Sequence, residues 1–220
     1  MPPLSPPPVA VIFDMDGLML DTERSAVDCW MDIARERGWK VDRETGLKTV
    51  GVDEKTTRRI IQADCGPDFP YEEIRSALVR RLTADFKKNG VPHRPGLAPL
   101  LNHLDSLGIP LGVATSTERR LALWKLRYAG IRRRFSVIVC GNEVERGKPA
   151  PDIYLLAAER LGTTPARCVG FEDSPAGLQA LHHAGIPAVF VKDLIEPSPD
   201  ILATVWRRCE TLEEAIPLFS

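Results

Sequence analysis

Three aspartates follow a short apolar run near the start of the chain, in the segment AVIFDMDGLMLDTE (10–23). The run itself, VAVIF (9–13), is typical of a strand buried on both faces. Asp14, Asp16 and Asp21 come within eight residues of its end. Carboxylates crowded at a sheet edge repel one another unless a cation or a cationic ligand neutralises them. We interpret Asp21 as a helix cap, and the first two acids as candidates for a reactive or cation-binding site.

The elements that must position these acids form an alternating series of strands and helices. Four further apolar runs follow the first, and patterns typical of helices separate them. The runs are IPLGVAT (109–115), FSVIVCG (135–141), RCVGF (167–171) and IPAVFV (186–191). This alternation, with glycines at the helix ends, predicts βαβ units and a parallel α/β sheet with helices on both faces.

One interval interrupts the alternation. Between the first and second predicted strands lie about ninety residues whose apolar positions recur at helical spacing. The segment HRPG (93–96) is a hinge candidate for the return to the sheet. The predicted domains are therefore a sheet domain formed by residues 1–18 and 93–220, with the proline-rich residues 1–8 disordered, and a helical domain over residues 19–92.

Polar and charged side chains follow four of the predicted strands. Because the carboxyl ends of parallel strands meet at one edge of the sheet, where ligands bind, we expect these side chains to lie close together. The set contains acids, hydroxyls and one lysine: Asp14, Asp16, Thr115, Ser116, Thr117, Lys148, Glu172 and Asp173.

The acids of this set predict a divalent-metal site and a nucleophile. Asp14, Asp16 and Asp173 supply the hard oxygen ligands that suit Mg²⁺, an ion that keeps several waters. A carboxylate that faces a metal-bound phosphate can attack phosphorus and form an aspartyl-phosphate. A second carboxylate two residues further on can protonate the leaving alcohol and then deprotonate the attacking water.

The remaining residues predict a cradle for a phosphate group. The hydroxyls and backbone N–H groups of Thr115 and Ser116 precede a helix expected to start near Glu118, where an anion is favoured. Lys148 adds a cation that offsets the charge of a phosphoryl group and of the acids. Together these side chains indicate phosphoryl transfer.

Four segments resemble, in order, the four motifs of the haloacid dehalogenase superfamily, specifically its phosphatase and β-phosphoglucomutase-like branch. They are FDMDGLMLDTE (13–23), VATST (113–117), GKPAPDIY (147–154) and GFEDSPAG (170–177). The resemblance implies a Rossmann-like core, an inserted all-helical (C1-type) cap domain and dependence on Mg²⁺.

The resemblance also implies roles for matching residues. Asp14 matches the nucleophile, Asp16 the general acid and base, and Lys148 the lysine of the site. The phosphate-binding hydroxyl falls on Thr115. The metal ligands fall on Asp14, the main-chain carbonyl of Asp16 and Asp173, with Glu172 as a further ligand or as a partner of the ligands.

Two reactions of this family remain open. One is hydrolysis of a small phosphorylated metabolite, such as a sugar phosphate, and the other is the transfer catalysed by a phosphosugar mutase. Mutases that resemble this chain carry a histidine early in the first cap helix, where Ala26 stands here. The following loop offers Asp53 and Glu54 before its first base, Lys55. These departures favour hydrolysis. A non-enzymatic protein on this fold would have an incomplete set of motif residues, and the set is complete.

Composition excludes several other classes. The 29 basic and 30 acidic residues give a net charge of −1, which provides no broad field for nucleic acid or an anionic membrane. No apolar run approaches the roughly 20 residues that span a bilayer. The odd number of cysteines, five, contains no C-x-x-C pair, and the first residues lack the features of a signal peptide. We expect a cytoplasmic enzyme whose partner is a small phosphomonoester. Its oligomeric state is left open, a monomer being consistent with the sequence.

Overall fold

In a computed structural model, which describes residues 7–50, 52 and 54–219, six parallel strands form one sheet. The predicted Rossmann-like α/β class is confirmed. The disorder predicted for residues 1–8 stays a prediction, since residues 1–6 lie outside the described residues. In chain order the strands are β1 (Ala10–Phe13), β2 (Leu111–Thr115), β3 (Val137–Cys140), β4 (Cys168–Glu172), β5 (Ala188–Val191) and β6 (Arg207–Cys209), and their order in the sheet is β3-β2-β1-β4-β5-β6.

The inner strands are buried along their whole length, which explains their continuous apolar sequences. Every residue of β1, β2, β4 and β5 is buried, as is usual for a parallel sheet covered on both faces. The sixth strand was not predicted. It lies at one edge of the sheet, pairs with β5, and begins with Arg207 and Arg208 rather than with an apolar run.

Within residues 19–92, which the sequence assigned to an insertion, the described residues form four helices. They are α1 (Glu23–Glu36), α2 (Arg43–Leu47), α3 (Glu54–Cys65) and α4 (Tyr71–Asn89). The apolar faces of α1, α3 and α4 form a cluster of their own around Trp30, Ile33, Ile61 and Ile74. Met19 and Leu20, however, pack into the cluster of the sheet. We therefore propose that the helical domain begins after Leu20.

The remaining helices cover the two faces of the sheet. They are α5 (Leu97–Ser106), α6 (Arg119–Tyr128), α7 (Asp152–Arg160), α8 (Pro175–Ala184) and α9 (Pro199–Leu202). Since successive side chains of a strand alternate between faces, Val11 and Phe13 pack with α5 and α6, whereas Ala10 and Ile12 pack with α7 and α8. This two-sided covering leaves the carboxyl ends of the strands accessible. None of the helices among the described residues combines the length and apolar character that a bilayer crossing requires.

Candidate active site

The carboxyl ends of the central strands bring the predicted side chains together. Asp14 follows β1, Thr115 ends β2 and Glu172 ends β4, and all three are buried. Lys148 reaches the same place from the loop between β3 and α7, and it is also buried. Residues far apart in sequence thus form one site because neighbouring parallel strands end at one edge.

Lys148 lies at the centre of this group. Its Nζ atom is 2.5 Å from Asp14 Oδ1 and 2.5 Å from Glu172 Oε1. Burial lowers the pKa of Lys148, but the two carboxylates outweigh that effect and raise it above its ordinary value. The lysine therefore stays cationic and fixes the position of Asp14.

Glu172 is hydrogen-bonded through both of its oxygens. Oε1 accepts from Lys148 and from the Tyr154 hydroxyl, the latter at 2.7 Å. Oε2 accepts from the backbone N–H of Asp173 at 3.0 Å, and from the N–H and hydroxyl of Ser174 at 3.1 and 3.0 Å. These five donors use the lone pairs that a carboxylate offers. Of the two roles expected for Glu172, we therefore propose that it supports Lys148 and the ligand loop rather than coordinating an ion.

The acids fit a divalent cation. Carboxylate oxygens of Asp14, Glu172 and Asp173 lie within 4.8 Å of one another. Asp173 Oδ1 is buried and has no hydrogen-bond partner among the described residues. Burial raises the pKa of Asp14 to about 7, although Lys148 opposes this. Burial and the neighbouring carboxylates raise the pKa of Asp173 well above its ordinary value. Repulsion of this kind is what a bound Mg²⁺ relieves.

The loop after β1 passes very close to this cluster. Gly17 has a φ of +88°, and a Cβ atom there would lie 2.4 Å from Asp173 Oδ2. Any side chain at this position would therefore collide with the carboxylate. The glycine of the first motif thus allows the loop after β1 to approach Asp173.

The carboxylate of Asp16 faces a different set of groups. Its Oδ1 accepts from the Thr22 hydroxyl and from Lys125 Nζ, each at 2.5 Å, and its Oδ2 accepts from the Thr117 hydroxyl at 2.7 Å. Burial raises the pKa of Asp16, but Lys125 and these hydrogen bonds outweigh it and hold the pKa below its ordinary value. With its side chain so occupied, Asp16 can offer an ion its main-chain carbonyl, as the resemblance implies.

The candidate phosphate-binding residues lie beside Asp14. The Thr115 hydroxyl accepts from the N–H of Thr117 at 3.1 Å, which shapes the turn before α6. Ser116 lines the cavity above the sheet edge. Gly141 packs closely against this turn, since a Cβ atom there would lie 2.2 Å from the carbonyl oxygen of Ser116. The hydrogen bond to the Thr115 hydroxyl and the packing of Gly141 thus both fix the position of this turn.

A cavity of about 560 Å³ lies between the sheet edge and the helical insertion. Its size is that of a pocket for a small molecule. Asp14, Asp16, Thr115 and Ser116 form its floor. The helical side contributes Glu23, Ala26, Val27, Trp30, Thr49, Glu54, Lys55 and Arg75, among others.

Sequence reasoning did not identify Lys125, Thr22 or Tyr154 as members of the site. Lys125 and Tyr154 lie on α6 and α7, several residues beyond the strand ends that the sequence singled out. Lysines and tyrosines on helices are common, so only the three-dimensional contacts identify these two. Thr22 was close to the expected start of α1, but nothing in the sequence indicated its bond to Asp16.

A Rossmann-like sheet, a helical insertion after the first strand, and buried acids around a lysine define an enzyme of the haloacid dehalogenase type. The family model described as haloacid dehalogenase-like hydrolase matches residues 9–185. The chain therefore belongs to this family of hydrolases.

Individual relatives agree with this assignment. A phosphorylated carbohydrates phosphatase of Thermotoga maritima is 34% identical over 181 residues, covering 82% of this chain and 83% of that protein. A β-phosphoglucomutase of Bacillus subtilis is 32% identical over 188 residues, covering 83% and 82%. A crystal structure of a CbbY variant from Rhodobacter sphaeroides in complex with xylulose-(1,5)bisphosphate matches with a TM-score of 0.77 at 28% identity, covering 94% of this chain and 95% of that one. The predicted branch and the predicted enzyme class, a phosphoric monoester hydrolase, are confirmed.

Proposed function

We propose that the protein is a Mg²⁺-dependent phosphatase that hydrolyses a small phosphorylated metabolite, such as a sugar phosphate, through an aspartyl-phosphate on Asp14. The observation that carries the proposal is the position of Asp14. Its carboxylate lies on the floor of the cavity, is fixed by Lys148 at 2.5 Å, and adjoins the acid cluster with Asp173. The proposed nucleophile, the cationic Lys148 and a cavity that can hold a substrate therefore lie next to one another.

In the first step, a carboxylate oxygen of Asp14 attacks phosphorus, and the bond from phosphorus to the alcohol oxygen of the substrate breaks. Asp16 donates a proton to the departing oxygen, and the negative charge of the bound phosphate, which raises the pKa of Asp16 against the effect of Lys125, favours the protonated form that this step needs. Lys148 and the Thr115–Ser116 turn stabilise the charge on the phosphoryl oxygens. The products of this step are the free alcohol and the phosphorylated Asp14.

In the second step, water attacks phosphorus, and the bond between Asp14 and phosphorus breaks. Asp16, now a carboxylate, takes the proton from the water. Inorganic phosphate leaves, and both aspartates return to their starting states. The same side chain thus serves as acid and then as base.

Asp14, the main-chain carbonyl of Asp16 and Asp173 would hold the Mg²⁺ ion. When bound, the ion neutralises the acids and the phosphate, which allows two anions to approach each other. The unpartnered Oδ1 of Asp173 supports this assignment. Glu172 and Lys148 keep the neighbouring groups in place.

The helical side of the cavity favours hydrolysis over the mutase reaction. A mutase must hold the second phosphate of its intermediate, which requires free cationic groups. Of the two cations that the described residues place on this side of the cavity, Arg75 is already paired with Glu54 at 2.5 Å, which leaves Lys55 alone. Ala26 lines the cavity where mutases of this type carry histidine. Asp53, which the sequence analysis named as a further departure from the mutases, lies outside the described residues.

Glu23 indicates the character of the leaving group. It lines the cavity and has no ion-pair or hydrogen-bond partner in the part of the chain that the structure describes. Burial, with the charge of Asp16, raises its pKa to about 8. A carboxyl group there can donate hydrogen bonds to hydroxyls and accept them, and it supplies no positive charge to hold a second phosphate. We infer that the leaving alcohol is uncharged and rich in hydroxyl groups.

All five cysteines are free, which is consistent with the proposed cytoplasmic location. No region of dominant positive charge is expected from the balanced composition, so a small phosphomonoester remains the proposed partner.

The test is phosphate release from hexose and pentose monophosphates, glycerol phosphate, sugar bisphosphates, phosphoglycolate and nucleoside monophosphates, each with Mg²⁺ and with a chelator. ³¹P NMR of the same mixtures detects isomerised sugar phosphates. We expect release that requires Mg²⁺ and that is fastest for sugar or polyol monophosphates. Isomerisation without release would establish a mutase instead, and preference for bisphosphates would contradict the inferred role of Glu23.

A further inference from the structure

A second lysine, Lys125, is partly buried and contacts the site without lining the cavity. Lys125, on α6, places its Nζ atom 2.5 Å from Asp16 Oδ1, and the side chains of the pair are 14% and 11% exposed. The residues that line the cavity include Asp16 but, within the described chain, not Lys125. Lys125 can therefore act on a substrate only through Asp16.

The surroundings of Asp16 form a three-point support. Thr22 donates from the junction with α1, Thr117 from the loop after β2, and Lys125 from α6. Lys125 is the cation of this set. Its backbone is held because Ala122 and Leu126, on the inner face of α6, are buried against the sheet.

This support is separate from the contacts of the nucleophile. Lys148 binds Asp14 and Glu172, whereas Lys125 binds Asp16. Each reacting aspartate thus has its own lysine. A partly buried ion pair of this kind resists rotation of the carboxylate, since breaking it leaves an unpaired charge that is poorly hydrated.

We propose that Lys125 is a positioning residue that holds the carboxyl group of Asp16 in place for proton transfer with the leaving alcohol. This inference rests on the proposed phosphatase function. As the P–O bond breaks, the proton passes from Asp16 to the alcohol oxygen, and the carboxylate that remains is bonded to Lys125. When water attacks in the second step, its proton passes back to the same carboxylate.

The proposal predicts a dependence on the leaving group. An alkoxide is a poor leaving group without a proton, whereas p-nitrophenolate leaves without one. Loss of Lys125 should therefore slow the hydrolysis of an alkyl phosphate much more than that of p-nitrophenyl phosphate. A residue that merely stabilised the fold would affect both substrates alike.

The experiment compares the wild type with Lys125→Met and Lys125→Arg, using glycerol phosphate or the best alkyl substrate of the panel and p-nitrophenyl phosphate. For Lys125→Met we expect kcat/KM on the alkyl substrate, which reports the first step and not the water attack common to both substrates, to fall about 100-fold, the low end of general acid–base effects. We expect kcat/KM on p-nitrophenyl phosphate to stay within about threefold, because nitrophenolate needs no general acid. Lys125→Arg should recover much of the alkyl activity. Lys88→Met, on the exposed end of α4, is the matched control.

An equal loss on both substrates, or no loss on either, would overturn the proposal. Circular dichroism establishes that each variant is folded, and Lys125→Gln replaces the methionine variant if that one is not. A wild-type protein that hydrolyses neither substrate would refute the phosphatase function and the inference with it. A loss of activity confined to the Lys125 variants would leave the activity of the wild type intact, so the two outcomes can be distinguished.

Discussion

Replacing Glu172 by glutamine tests whether this carboxylate supports Lys148. The amide oxygen can take the place of Oε2 and keep the three hydrogen bonds from the backbone and hydroxyl groups of Asp173 and Ser174. The amide nitrogen then faces Lys148 Nζ, which was 2.5 Å from Oε1. An ammonium group has no lone pair to accept a hydrogen bond, so this contact becomes repulsive.

The structure sets the size of the effect. A hydrogen bond to a charged group contributes about 1.5–3 kcal/mol, and removing one member of a buried ion pair costs about 3–5 kcal/mol. Lys148 keeps Asp14 as a partner, so the lower end applies. We expect Glu172→Gln to lower the free energy of unfolding by about 3 kcal/mol, and Tm by about 6–12 °C for a chain of this size.

Equilibrium unfolding in urea measures this difference, with the slope m unchanged if the compactness of both states is kept. Glu159→Gln, at an exposed position of α7, is the control and should change stability by less than about 0.5 kcal/mol. A loss below about 1 kcal/mol for Glu172→Gln, the size of one neutral hydrogen bond, would refute the assigned role.

Three further predictions concern the metal, the packing and the acid stability. Asp173→Asn should abolish Mg²⁺ binding in calorimetry of the free protein, and undiminished binding would contradict the ligand assignment. Gly177→Ala should destabilise the protein by about 1–3 kcal/mol in urea unfolding, because its Cβ would lie 1.7 Å from Glu172 Oε1; an unchanged midpoint would show that the contact relaxes freely. Burial raises the pKa of Glu143, but hydrogen bonds from Arg160 and Arg119 outweigh it and lower the pKa. Its stabilisation is therefore present above about pH 4.3 and is lost as the pH falls further. Glu143→Gln should be less stable than the wild type at neutral pH, and the difference should shrink as the pH falls below about 4.3; a constant difference would argue against this pairing.

The strands that could be predicted from sequence are those whose burial demands apolar residues. The β1 and β4 sequences, AVIF and CVGFE, lie inside the sheet and read as continuous apolar runs. Arg207–Cys209 carries no such run, because only the last residue of this short strand is buried. Hydrophobic pattern alone therefore misses it.

For the site, sequence predicts the side chains carried by strand ends but not their partners. Asp14, Thr115 and Lys148 are brought together because parallel strands end at one edge. The bond from Lys125 to Asp16 depends on the orientation of α6, which no local sequence pattern encodes. Likewise, the proposal that Glu172 supports its neighbours rather than binding an ion rests on its five hydrogen-bond donors, which the sequence does not indicate.

The most direct test of the account is detection of the phosphoryl group on Asp14. The wild type, Asp14→Asn and the control Asp68→Asn, at an exposed loop position, would be mixed with Mg²⁺ and the best substrate of the panel, quenched in acid within the first turnover, and analysed by peptide mass spectrometry. The account predicts one phosphoryl group on the peptide containing Asp14 in the wild type and in Asp68→Asn. It predicts neither modification nor turnover in a folded Asp14→Asn protein. Turnover by Asp14→Asn, or a phosphoryl group on another residue, would contradict it.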